Sequence, residues 1–388
     1  MMTMEESIDL KNLDKTDWKS FRFDQITKRV SETVDPNTTD LKIYIGLEHI
    51  DAESIHIKRQ GTPADVSGGK LKCYPGDVIF GKRRAYQRKA AVVDFEGICS
   101  AHAFVLRANP KVIDPKLFPF FLHSDLFMHR AVDISVGGLS PTINWGQLKE
   151  QEFLLPPKDQ QAQLAKLLWA IDEVIEREND LLEKLEINKN TIFNELHKLR
   201  YNSFQFLENL CLKISSGGTP SRQKEDIYFG GDIPWVKTKE LNDWIVFETE
   251  EHITQIGLKN SSAKLYPKGT IFLAMYGVTV GKIGMIDKEM ACNQACCALI
   301  VNSSKIDNWF LFYYLTALRK RLIALSIGSA QPNISSSIIK KLKIPDLKIE
   351  HQKVFTTKLL NIDKSMNTVN SKISSTKGLQ KSLINQVF

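Results

Sequence analysis

The chain has 388 residues, 43% hydrophobic and 25% charged, with a formal net charge of +7 whose surplus lies in residues 201–388. That is enough for about two domains with real cores and excludes intrinsic disorder. No apolar run approaches the roughly 18–20 residues that span a bilayer, the acidic start MMTMEESIDL lacks a secretory layout, and six uneven cysteines make no disulfide framework. A cytoplasmic protein with no membrane partner is expected.

In chain order, residues 78–80, 91–93 and 104–106 read as buried strands, bounded by turns at Pro75-Gly76 and Asp94-Phe95-Glu96-Gly97. Between the first two lies Gly81-Lys82-Arg83-Arg84-Ala85-Tyr86-Gln87-Arg88-Lys89, with five cations, an aromatic and an amide in nine residues. Cations this dense repel one another unless an anion lies nearby, and DNA phosphates answer that need. Arg and Gln can also fork onto guanine and adenine edges. Lys82, Arg83, Arg84, Tyr86, Gln87, Arg88 and Lys89 are therefore candidate DNA contacts; the alternative is a solvated turn. Residues 117–132 read as a helix.

After Pro157 apolar residues recur at alternating steps of four and three: Leu164, Leu168, Ile171, Ile175, Leu182, Leu185, Ile192, Leu196 and Leu199, with Glu178 and Lys189 as the gaps. This is a coiled-coil seam. The same frame returns 191 residues later as Phe355, Leu359, Ile362, Met366, Val369, Ile373, Thr376, Gln380, Leu383 and Val387. Two such helices in one chain are expected to pair antiparallel, as a rod of roughly 60 Å at 1.5 Å per residue. The alternative is two amphipathic helices, each packed on its own domain.

The second globular stretch repeats the first. Strands are expected at 270–273 and 298–301 and a helix at 309–325. Trp18 to Phe23 is echoed by Tyr201 to Phe206, Tyr74 to Phe80 by Tyr266 to Phe272, Val136 to Pro141 by Ile327 to Pro332, and Leu155-Pro156-Pro157 by Ile344-Pro345-Asp346. Four echoes in one order are a duplication. The counterpart of the basic run is Ala274 to Lys282, with Tyr276, Thr279 and Lys282 able to donate hydrogen bonds, and the upstream loop 215–224 offers Thr219, Ser221 and Arg222. The expected organisation is α+β: globular domains at 1–157 and 201–344, long helices at 158–200 and 345–388, in a pseudo-twofold arrangement.

Catalytic signatures are missing from the sequence. Gly277-Val278-Thr279-Val280-Gly281-Lys282-Ile283 is one residue short of a nucleotide-binding loop and has Ile where Ser or Thr must reach magnesium. Cys292, Cys296 and Cys297 lack a second ligand pair and read as buried strand residues. Asp346, Glu350 and Lys353 faintly resemble a nuclease set, but Glu350 suits a helix start. No metal and no cofactor are expected on this chain.

The wording of several segments is similar to the specificity subunits of type I restriction–modification systems. These are Gly217-Gly218-Thr219-Pro220-Ser221, residues 231–239 (GDIPWVKTK), residues 277–282, residues 74–84 (YPGDVIFGKRR), residues 97–100 (GICS) and the Leu155-Pro156-Pro157 entry to the helix. The resemblance covers essentially the whole chain, although the first half lacks the GGTPS words. It implies two target-recognition domains that read the halves of a split double-stranded DNA site, and it adds Lys237 and Lys239 as candidate contacts. It also implies helices that space the domains and dock two methyltransferase subunits, with restriction and translocase subunits joining. S-adenosylmethionine would sit on the methyltransferase partners. A free-standing nuclease or methyltransferase and a coiled-coil adaptor are the competing readings.

Overall fold

The computed structural model describes residues 15–198, 203–326 and 333–388. Tyr201, Leu199 and the echo at 327–332 lie outside the described residues. The chain divides into two compact units, residues 1–180 with 369–388, and residues 181–368.

In the first unit a four-stranded antiparallel sheet runs in the order Thr27–Val30, Ala103–Ala108, Val78–Gly81, Ala90–Val92. The middle strands are buried on both faces, which is why they read as continuous apolar runs. A second sheet orders Thr33–Val34, Lys70–Cys73, Gly97–Cys99 and Tyr44–Ile45, the last pair parallel. The helix expected at 117–132 is two, Phe118–His123 and Asp125–Asp133. Ser124 is extended between them, and its hydroxyl accepts from the Phe127 N–H and so caps the second. Phe23, Phe80, Phe121, Phe127 and Phe153 fill the space between helices and sheet.

The second unit repeats this plan. The strands Cys211–Ser216, Cys296–Val301, Ile271–Ala274, Ile283–Ile286 and Ile245–Val246 form one sheet in that order. A second orders His252–Ile253, Phe229–Val236, Met290–Cys292 and Leu265–Tyr266. The parallel pairing of Trp235 with Ala291 repeats that of Tyr44 with Ile98. Here too the expected single helix is broken, into Asn308–Ala317 and Arg319–Leu325. Cys292, Cys296 and Cys297 are buried in strands, and burial pushes the Cys297 thiol up to about 12.

The long helices are Lys158–Lys198 and Ile349–Val387. Each begins on a buried glutamine that stitches it to its own unit. The Gln161 carbonyl accepts the Asp114 N–H at 2.6 Å, and its amide donates to the Val112 and Pro156 carbonyls. The Gln352 carbonyl accepts the Asp307 N–H at 2.8 Å, and its amide donates to the Leu347 carbonyl. Within the first unit the helices run antiparallel: Gln380 donates to Asp172, and Lys372 pairs with Glu178. Leu164 and Leu168 are buried with Leu383, Ile384 and Val387, but also with Trp18, Ile55, Leu117 and Phe120. Within the second unit Ile192 and Leu196 share the core with Leu359 and Ile362, with Leu185 and Met366 against it. The two readings of the seam were posed as alternatives, yet both contacts exist, since the apolar stripe serves helix and domain together. Ile175, Val369 and Ile373 are buried, and Ile171 and Leu182 half-buried. Among the described residues no helix is long and apolar enough to cross a membrane.

Candidate nucleic-acid interface

The basic run is the hairpin turn between Val78–Gly81 and Ala90–Val92, closed by the Gly81 N–H on the Lys89 carbonyl at 2.9 Å. Residues Ala85–Gln87 make one 3-10 turn, and the residues on either side, Arg84 (φ 56°, ψ 53°) and Arg88 (φ 51°, ψ 48°), are both left-handed. Side chains there crowd the following carbonyl at roughly 1–2 kcal/mol per residue. The corresponding turn of the second unit has Gly277 (φ 80°) and Gly281 (φ 78°) at the same two places, where the conformation costs a glycine nothing comparable. The two tips thus share left-handed φ at the same two places, with different residues there.

A second loop leans on each turn. The Arg84 N–H donates to the Pro141 carbonyl at 2.7 Å, the Ile143 N–H to the Lys82 carbonyl, and Arg83 bridges Thr142. In the other unit Tyr276 bridges Asn333, and the Ile334 N–H donates to the Met275 carbonyl at 2.7 Å. The word Val136 to Pro141, noted in the sequence only as a repeat, is therefore part of the surface. Its Leu139 is 97% exposed.

Each turn is clamped by an arginine and an acid that is itself left-handed. In the first unit Arg88 pairs with Glu53 (φ 56°) at 3.4 Å and Asp125 at 2.7 Å, and donates to the His123 carbonyl. Lys381 and Asn385 of the second long helix hold those two acids in turn. In the second unit Arg319 reaches in from its helix, pairing with Asp243 (φ 64°) and donating to the Gly281 carbonyl at 3.1 Å.

The candidate residues therefore divide. Arg83, Arg84 and Tyr86 are exposed, and among the described residues neither arginine has a carboxylate partner. Arg88 is turned inward, and Lys89 donates to the Leu47 carbonyl at 2.6 Å. Lys82 lies over the Phe104 ring, and burial holds its ammonium below the ordinary lysine value. Gln87 is half-buried and lines an open surface pocket together with Ala52 and Glu53.

In the second unit Tyr276, Thr279 and Lys282 surround the turn, half-buried, with Val278 fully exposed at its tip. Thr219 donates to Gln294, and Ser221 is exposed. Arg222 stacks on Phe229 at 4.0 Å and pairs with Glu225 and Glu251. Lys237 pairs with Glu251 at 2.6 Å and Lys239 with Glu250. The Glu251 carboxylate raises Lys237 above the usual lysine range, and Lys237 lowers Glu251. The expectation that the dense cations of the 82–89 run await an outside anion is corrected for Arg88, which pairs with Glu53 and Asp125; Arg222, Lys237 and Lys239 also have acid partners within their unit. Apart from Glu225, which follows Arg222 by three residues, their acids lie on other segments of the chain and are close only in space. Asp346 of the faint nuclease set accepts from Ser203 and Gln205, and Glu350 stands in the first turn of the second long helix.

The family model for the type I restriction modification DNA specificity domain matches the chain twice, at residues 39–187 and 204–376. The chain is 24% identical over 353 residues to a putative type I restriction enzyme MjaX specificity subunit of Methanocaldococcus jannaschii, covering 82% of this chain and 79% of that protein. It is 26% identical over 163 residues to the Escherichia coli EcoR124I/EcoR124II specificity subunit, 40% of each. Among solved structures, the M. genitalium S subunit of a type I restriction-modification system superposes with a TM-score of 0.66 at 16% identity, covering 97% of this chain and 98% of that one. A chain from work on complex assembly and conformational transition of the type I R-M system gives 0.58 at 19% identity, covering 95% and 97%. At such identities the two superpositions speak for the fold.

Proposed function

The chain belongs to the type I restriction modification DNA specificity domain family, and from that premise we propose that it is the DNA-recognition subunit of such a system. It carries two recognition units, each presenting one clamped turn and one leaning loop to the duplex. The carrying observation is that the two turns share a left-handed frame but not side chains: Arg84 and Arg88 against Gly277 and Gly281. A common scaffold with different tips suits a split site whose halves differ. Phosphate contacts from exposed cations such as Arg83 set register, and base-edge contacts select sequence.

The chain supplies recognition, while methyl transfer and cleavage belong to methyltransferase and restriction subunits that assemble with it. S-adenosylmethionine is assigned to the methyltransferase partners, with no cofactor on this chain, and the complex to the cytoplasm. The test is to co-express the chain with its methyltransferase subunit and map modified bases. One two-part motif is expected, with none from either protein alone. Modification by this chain without a partner, or no sequence-selective modification by the pair, overturns the reading.

A further inference from the structure

We propose that Arg84 is the side chain with which the first unit reads a base, and that its bidentate fork selects a guanine; this rests on the DNA-recognition function above. Strained backbone persists where something else compensates it, and an observed outlier is a legitimate pointer to function. For Arg88 the compensation is internal, since its guanidinium holds Glu53, Asp125 and the His123 carbonyl. Arg84 has no such anchorage. Its side chain is exposed and, among the described residues, makes one hydrogen bond, from Nε to the Ser140 hydroxyl at 3.2 Å. Glycine would relieve the backbone, and glycine is what the second unit has at Gly277, where an added Cβ would meet nothing within 4 Å. The retained arginine is therefore not required by the turn.

The Ser140 bond also fixes what the guanidinium can offer. Nε is engaged with a loop that the Arg84 N–H itself pins through Pro141, so the exposed side chain keeps both Nη groups available as donors. Two parallel donors on a pre-oriented plane match guanine O6 and N7 in the major groove, and a lysine could not reproduce that fork. At Gly277 the corresponding surface presents backbone, so the second unit reads its half-site without an arginine at this point.

The experiment maps methylation by the full chain with its methyltransferase subunit for wild type, Arg84→Gly and Arg84→Lys, alongside thermal midpoints of the chain. Arg84→Gly is expected to raise the midpoint by about 2–4 °C. Both variants should relax one guanine of the first half-site to several bases, with at least a tenfold loss on the original motif, while the other positions keep their preference. An unchanged motif in Arg84→Gly overturns the assignment, and so does uniform weakening at all positions or full rescue by Arg84→Lys, which would mark a phosphate contact. If the wild-type complex modifies no motif at all, the recognition function itself falls and this inference with it, an outcome distinct from the others.

Discussion

Asp172 and Asp363 stand at the same point of the duplicated long helix, 191 residues apart, and each is buried beneath a polar residue from the seam of the opposite helix. Asp172 accepts from Gln380 and from His56 Nε2, and Asp363 from Lys189 at 2.5 Å and the Tyr313 hydroxyl at 2.7 Å. Lys189 and Gln380 are among the polar interruptions of the two apolar frames, with Glu178 and Thr376 the others. They mark layers in which a one-heptad slip would bury a charge against leucine, so they fix register as well as fill space.

Removing one partner of such a layer leaves the other buried and uncompensated. Lys189→Met is expected to cost about 3 kcal/mol, whereas Lys189→Met with Asp363→Asn, which keeps an acceptor for Tyr313, should recover more than half. Denaturant midpoints of the two variants check this. A Lys189→Met chain as stable as wild type would mean that the layer contributes nothing.

The other layer carries a pH dependence. The Asp172 carboxylate, hydrogen-bonded at 2.6 Å, raises His56 above its ordinary value despite partial burial. A histidine whose folded pKa lies above its unfolded value of about 6.5 binds its proton more tightly when folded. Its stabilisation is therefore full below about 6.5 and is lost as pH rises through the folded value. Buried His123 is shifted the opposite way and weakens the fold below the same unfolded value, so the total curve mixes both. The thermal midpoint of wild type minus that of His56→Gln isolates the first: the difference should shrink between pH 6 and pH 8. A difference flat across that range would refute the coupling.

The inward and outward cations of the first turn should separate in experiment. Arg88→Gly retains the left-handed backbone but leaves Glu53 and Asp125 with only Lys381 and Asn385, and should destabilise the first unit by about 1–3 kcal/mol. Arg83→Ala should leave the midpoint unchanged and lower the salt slope of DNA binding by the assembled complex by about one ion. Equal melting of both variants, with equal slopes, would erase the distinction.

This division shows what was legible in the sequence. The seam was read residue by residue because heptad spacing is local, and the duplication because strand words such as residues 78–80 and 271–273 carry their own pattern. The breaks at Ser124 and Leu318 were missed because apolar periodicity continues across them. The acids of the candidate site were missed for a different reason. Asp125 with Asn385, Glu251 with Lys237 and Asp243 with Arg319 are partners only after the chain has folded. Charge counted along the sequence saw cations without them. The left-handed arginines were invisible too, since only the alignment with Gly277 and Gly281 betrays the backbone they share.

Gly217 separates a structural from a recognition role for the GGTPS words. A Cβ at this position would lie 2.3 Å from the Cys292 and Asn293 carbonyl oxygens and 2.6 Å from the Cys292 sulfur. The two oxygens are backbone atoms of the segment that Gly218 binds through the Cys292 carbonyl, so turning the Cys292 side chain would relieve only the sulfur contact. Gly217→Ala is thus expected to destabilise the second unit by about 2 kcal/mol or more through overpacking, with lower yield of folded chain. Thr219→Val removes only the hydroxyl that meets Gln294, and should leave stability nearly unchanged. Midpoints from differential scanning fluorimetry decide between them. If Gly217→Ala melts with wild type while its DNA binding fails, the motif is a contact surface rather than the joint that seats the loop on the strand.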